Sequence, residues 1–146
     1  MKARTTRLAW LTLLMAPAAA LAQDAAPHLP PDSMELGRKY IEWWFDAEVD
    51  SLRSAMTPEM QEQWTVELTL ERMDMVAEQA GFPTRVIEEK YVMRNGEPQF
   101  WYTADMDVFP EPFMIRWVIT PEGKIDGVGI NPASMAPETD PPPDGQ

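Results

Sequence analysis

The residue that most limits what this chain can fold into is Gly81, because the hydrophobic pattern changes period there. Before it, Leu36, Tyr40, Trp43 and Ala47 form one stripe, which Ile41, Trp44 and Phe45 widen. Recurrence at three and four positions is the repeat of an α-helix, and a helix apolar over so much of its girth has to be enclosed by its own domain. After Gly81 come short runs rich in β-branched and aromatic residues. They are separated by Asn95-Gly96, by Pro110-Glu111-Pro112 and by Pro121-Glu122-Gly123. Asn-Gly between such runs is the strongest short-range hairpin signal. Helices followed by a meander predict an α+β layer, three N-terminal helices packed against a strongly curved four-stranded antiparallel sheet.

The expected elements follow from caps and turns. Ser33 caps a first helix to about residue 49, with a short continuation at 50–56 after a bend. Thr57 and Pro58 start a second helix through Trp64, an N-cap followed by a first-turn proline. Thr69 is read as the cap of the third, with Leu70, Met73, Val76, Ala77 and Ala80 inside and Gly81 as its stop. Strands are expected at 84–94, 98–109, 113–120 and 124–130.

Both ends of the sequence differ in kind from the middle. Lys2, Arg4 and Arg7 precede an apolar run from Leu8, and Ala20-Leu21-Ala22 precedes Gln23. This is the pattern of a cleaved secretory signal peptide over residues 1–22. Pro17 interrupts a run well short of the ~20 apolar residues of a membrane span. No cysteine follows the cleavage site and no twin-arginine pair precedes it, so export unfolded and without a lipid anchor is expected, to a periplasmic or extracellular location. Residues 23–32 read as a flexible Pro-rich arm, 33–134 as the single folded domain and 135–146 as a disordered acidic, Pro-rich tail.

Charge and missing residue types exclude several function classes. Removing Lys2, Arg4 and Arg7 from the 12 basic residues leaves nine against 24 acids, a net charge of −15. Nucleic acid is not an expected partner, because a phosphate backbone calls for a basic footprint. There is no cysteine, and the one histidine, His28, lies in the arm. The folded unit therefore offers no thiol or imidazole for nucleophilic catalysis or for a zinc or iron site, and no cofactor or metal is expected. The nine methionines beyond the leader are spread through expected elements as core fillers, not clustered as copper ligands. Asp46, Glu48 and Asp50 lack the glycine-containing loop of a calcium site.

The stretch LTLERMDMVAEQAG, the hairpin, and the final PEG turn with KIDGVGINP resemble the small bacterial domain-of-unknown-function branch of the nuclear transport factor 2-like superfamily. The matching positions are Leu68, Thr69, Glu71, Gly81, Gly123, Lys124, Ile125 and Gly127. The resemblance covers about residues 33–132. It implies a cone, a curved sheet wrapped around a long helix with room for a pocket, and pairing of sheets between copies. It implies no particular activity, since that superfamily hosts enzymes, binders and assembly modules.

Aromatic side chains are the candidate binding residues. Tyr40, Trp43, Trp44, Trp64, Trp101 and Trp117 are expected either to fill the core or to line a pocket across the cone. Trp43 and Trp44 are about 100° apart on their helix, so one of them is free to face a cavity or partner. Asp105 and Asp107 share a strand face, but Ala104, Met106 and Val108 form the apolar alternate face and place both acids toward solvent. Glu42 and Asp46 read as a solvated stripe, and Glu88-Glu89-Lys90 as ordinary strand surface. The leading expectation is a non-catalytic exported module binding a small apolar ligand or a protein partner. Its rivals are an isomerase- or hydrolase-type enzyme, using a buried carboxylate such as Asp46 with Tyr40 or Tyr102, and a homodimer burying Trp101 or Trp117.

Overall fold

The computed structural model describes residues 33–142. The expected leader (1–22), the expected arm (23–32) and residues 143–146 lie outside them. The chain runs α1 (Ser33–Phe45), α2 (Val49–Ser54), α3 (Pro58–Gln63) and α4 (Val66–Gln79), then β1 (Pro83–Arg94), β2 (Glu97–Met106), β3 (Phe113–Ile119) and β4 (Ile125–Pro132). One short 3-10 turn, Ala133–Met135, follows. The strands form one antiparallel sheet in the order β1-β2-β3-β4. This is the α+β arrangement expected, with helices ahead of an open meander.

Two helix boundaries depart from expectation. The first helix stops at Phe45, where Glu48 N–H donates to Trp43 O at 2.9 Å and Ala47 N–H to Trp44 O at 3.3 Å. That pair of bonds is a Schellman end, and it places Ala47 in the left-handed region at φ 56°. The cap of the last helix lies four residues before the expected one. Thr65 caps it, accepting from Leu68 N–H at 3.2 Å, while Thr69 is fully buried and donates its hydroxyl to Thr65 O at 2.7 Å. A threonine inside a first turn bonds backward to the preceding carbonyl, which is why its position alone mimics a cap. Leu70, expected inside, is exposed.

The core lies between the helices and one sheet face. Phe100, Tyr102 and Ala104 of β2 and Ile115, Trp117 and Ile119 of β3 pack against Tyr40, Ile41 and Trp44 of α1, Leu52, and Met73 and Val76 of α4. Gly37 allows the close approach of α1, since a Cβ there would enter the Phe100 ring. Two tyrosines tie α1 down. Tyr40 donates to Gly123 O in the β3–β4 turn, and Tyr91 donates to Ser33 O at 2.7 Å.

The opposite sheet face is also closed. Gln99, Trp101, Thr103 and Met114 are buried but do not belong to the helix-facing core. The chain after β4 runs across this face. Ala133 N–H donates to Pro112 O at 2.8 Å. Seven residues on, Asp140 N–H donates to Met93 O, and its carboxylate accepts from Asn95 and Gly96 N–H, all at 2.8 Å. After the 3-10 turn at Ala133–Met135, rising about 2 Å per residue, four extended residues bring the chain to Asp140, about 19 Å in all, close to the length of β2 from Ala104 to Pro98, the partner of Met93. With the helix side occupied, so short a segment passes nearly straight over the outer face. Part of the stretch expected to be a free tail is thus hydrogen-bonded to the hairpin. Asn95 and Gly96 both have positive φ, 54° and 75°, a type I′ turn whose outward amides Asp140 satisfies.

Candidate functional site

Helix α4 carries three stripes. Thr69, Met73, Val76 and the following Ala80 are buried in the core, and Glu67, Glu71, Asp74 and Glu78 form an exposed acidic stripe. Between them, Leu68, Arg72, Met75 and Gln79 face β4, whose Val128 and Ile130 stand opposite Trp117 and Ile115 on the helix-side face. The four helices do not fully cover the fourth strand, and a groove remains.

One compartment of about 260 Å³ is lined by Trp64, Leu68, Arg72, Met75, Val128 and Ile130. A second, of about 190 Å³, shares Met75 and Ile130 and adds Phe109, Phe113, Gln79 and Pro132. The two compartments adjoin at these shared residues and lie one after the other beside the edge strand. Beside the first compartment, Arg53 donates to Trp64 O at 2.9 Å and to Gln61 O at 3.2 Å, satisfying carbonyls at the end of α3. Trp64 is therefore fixed in place, with one edge against Trp44 (ring centroids 6.3 Å apart) and the other on the groove.

Of the six aromatics singled out from sequence, Trp64 alone lines this groove. Tyr40, Trp44 and Trp117 interlock in the core, with Trp117 6.4 Å from Tyr40 and 6.1 Å from Trp44. They fill the core rather than lining a cavity within it, although Trp44 also touches a smaller cleft of about 130 Å³ beside Phe45 and Phe82. Of the adjacent pair, Trp43 is the outward one, its ring tilted by 37° and 5.7 Å from that of Tyr40, with Lys39 Nζ 4.8 Å above it. Trp101 lies on the outer face, flanked by Lys90 and Arg116, each 5.8 Å from its ring. Trp101 and Trp117 are 4% and 0% exposed within one chain, so neither needs a second copy to be buried.

The carboxylates occupy structural positions. Asp105 pairs with Arg85 at 2.7 Å, and Asp107 accepts from Phe82 N–H at 2.9 Å. The apolar face expected beside them ends early, because β2 stops at Met106 and Val108 is exposed. Asp46 is exposed and Glu42 is too. Glu89 is not plain strand surface. It faces the helix layer beside Tyr102 and pairs with Arg38 at 2.6 Å, its side chain only 19% exposed. Burial pushes Tyr102 up to about 12, with Glu89 adding to the rise. Tyr91 also rises to about 12, mainly through burial, and Tyr40 is raised by burial. These hydroxyls stay protonated at neutral pH, and those of Tyr40 and Tyr91 serve as donors to backbone carbonyls. Neither groove compartment is lined by a carboxylate or a tyrosine. Among the described residues, no three acids or histidines converge to hold a metal ion, and no helix is long and apolar enough to cross a membrane.

Sequence reasoning passed over Leu68, Arg72, Met75, Val128 and Ile130. The signal was present in α4: its only basic residue sits in line with Leu68 and Met75, four and three positions away, not on the acidic stripe. Comparison with known proteins finds no family model that matches this chain, and no significantly similar curated protein or solved structure.

Proposed function

We propose that the chain is an exported, non-catalytic module that holds a small apolar ligand in the groove between α4 and β4. The observation that carries this reading is an apolar channel left open beside Trp64 in a domain whose core is otherwise tightly filled. Pockets that bind small ligands are concave, mostly apolar and equipped with few polar groups, which fits this channel. Export rests on the basic and apolar pattern of residues 1–22, and the order of helices before a meander supports placing the chain with the nuclear transport factor 2-like superfamily. Of the aromatic side chains expected to line a pocket, only Trp64 reaches this groove; Tyr40, Trp44 and Trp117 pack the core beneath it.

The experiment is a calorimetric titration with 1-decanol of the wild-type chain and of Val128→Trp, which fills the first compartment. Saturable one-to-one binding that Val128→Trp abolishes, with its thermal unfolding intact, supports the reading. Equal binding by both proteins, or none by either, rejects the groove as the site.

A further inference from the structure

The groove has one charge, and its placement carries information about the ligand. Arg72 lines the first compartment with Trp64, Leu68 and Met75. Ion pairs among the described residues are Arg38–Glu89, Arg85–Asp105 and Lys90–Glu88, so Arg72 has no carboxylate partner. That is unusual for its surroundings, since the same helix carries Glu67, Glu71, Asp74 and Glu78. A helical side chain meets its neighbours three and four residues away. For Arg72 those positions are Leu68, Thr69, Met75 and Val76, none of them acidic. The acids sit on the adjoining stripe and the cation is set among apolar side chains.

The second compartment has the opposite character. Its walls are Phe109, Phe113, Val76, Met75, Ile130 and Pro132, with the uncharged amides of Gln79 and Asn131 at the margin. The Asn131 amide is already engaged, accepting from Arg116 at 3.3 Å and donating to Pro132 O at 2.7 Å. A charged end therefore finds a partner only at Arg72, and an apolar chain finds its surface toward Phe109 and Phe113. From Arg72 to Gln79 the helix rises about 10 Å at 1.5 Å per residue, the reach of a medium-length alkyl chain.

We infer that the groove's ligand is an amphipathic monocarboxylate, its acid end on the Arg72 guanidinium and its alkyl chain running along Met75 and Ile130 to Phe109 and Phe113. This rests on the groove reading above and narrows it. A guanidinium presents two parallel donors that match a carboxylate, and charge-assisted bonds of this kind are about twice as strong as neutral ones. The chain's net charge of −12 repels an anion at long range. Screening confines that repulsion to about 8 Å at physiological salt, so the local pairing decides the preference.

The test is a titration of the full chain, wild type and Arg72→Gln, with decanoate, 1-decanol and decylammonium at pH 7. The expected result is decanoate binding about tenfold tighter than 1-decanol to the wild type, a gap that closes in Arg72→Gln and narrows at high salt. Glutamine keeps helix propensity at this exposed position, so folding is not at risk. Equal affinity for decanoate and 1-decanol in the wild type overturns the carboxylate assignment and leaves the groove standing. So does a preference for decylammonium, or a decanoate affinity that Arg72→Gln leaves unchanged. Failure of all three compounds to bind overturns the groove reading, and this inference with it.

Discussion

Replacing Ala47 by glycine is expected to stabilise the protein, against the usual effect of adding glycine next to a helix. Ala47 sits at φ 56°, where the Schellman bonds Glu48 N–H to Trp43 O and Ala47 N–H to Trp44 O end α1. A left-handed backbone costs a residue with a Cβ roughly 1–2 kcal/mol, and glycine escapes that cost. The freer unfolded chain of glycine returns about 0.4–1 kcal/mol of it. The net gain is about 0.5–1 kcal/mol, which for a domain of this size raises Tm by about 2–8 °C. Thermal unfolding followed by circular dichroism measures the shift. Glu42→Gly, at an exposed position inside α1, is the control and is expected to lose about 1 kcal/mol. If Ala47→Gly loses stability as Glu42→Gly does, α1 runs on through residue 47 and the turn that aims Trp44 at Trp64 is wrong.

Thr65→Ala is expected to cost about 1 kcal/mol in urea unfolding through loss of the α4 cap; an unchanged midpoint would return the cap to Thr69. Asp140→Ala removes both carboxylate bonds to the Asn95-Gly96 turn and is expected to lower stability by about 1–2 kcal/mol. Ending the chain after Met135 is expected to red-shift tryptophan emission as well, because Trp101 loses its cover; emission identical to wild type would show that something else buries it. Alkaline titration is expected to destabilise the fold between pH 10 and about 12. Tyr91 and Tyr102 are held above their ordinary value of 10.0, so the folded state keeps protons that the unfolded chain has released. Their contribution is complete below pH 10 and is lost as pH rises through the folded values, and stability that is flat up to pH 12 would contradict the burial of these hydroxyls.

Much of the architecture was legible because turns and periodicity pointed the same way. The period change at Gly81, the I′ pair Asn95-Gly96 and the PEG turn place the helices and all four strands within a few residues. Helix ends were less legible, because they depend on a hydrogen bond the sequence does not display. Ala47 takes a conformation usually given to glycine, and Thr65 and Thr69 differ only in whether the hydroxyl accepts forward or donates backward. The site was hidden for a related reason. Large aromatics draw attention as pocket walls, yet a chain of about 100 folded residues without cysteine needs them for packing. What opens the groove is the width of the helix layer over four strands, a tertiary property. Arg72 alone, out of line with its helix's acids, marked the place.

The central claim is that the channel between α4 and β4 is a binding site. Methyl NMR of the chain titrated with decanoate tests it most directly, since methionine, isoleucine and valine methyls are distributed through the fold. The account predicts saturable shifts at Met75, Val128 and Ile130, with Met60 and Met106 in the core and Met114 on the outer face unmoved. Shifts centred on the outer face around Met114 and Trp101, or no shifts at these three groove residues, would contradict it.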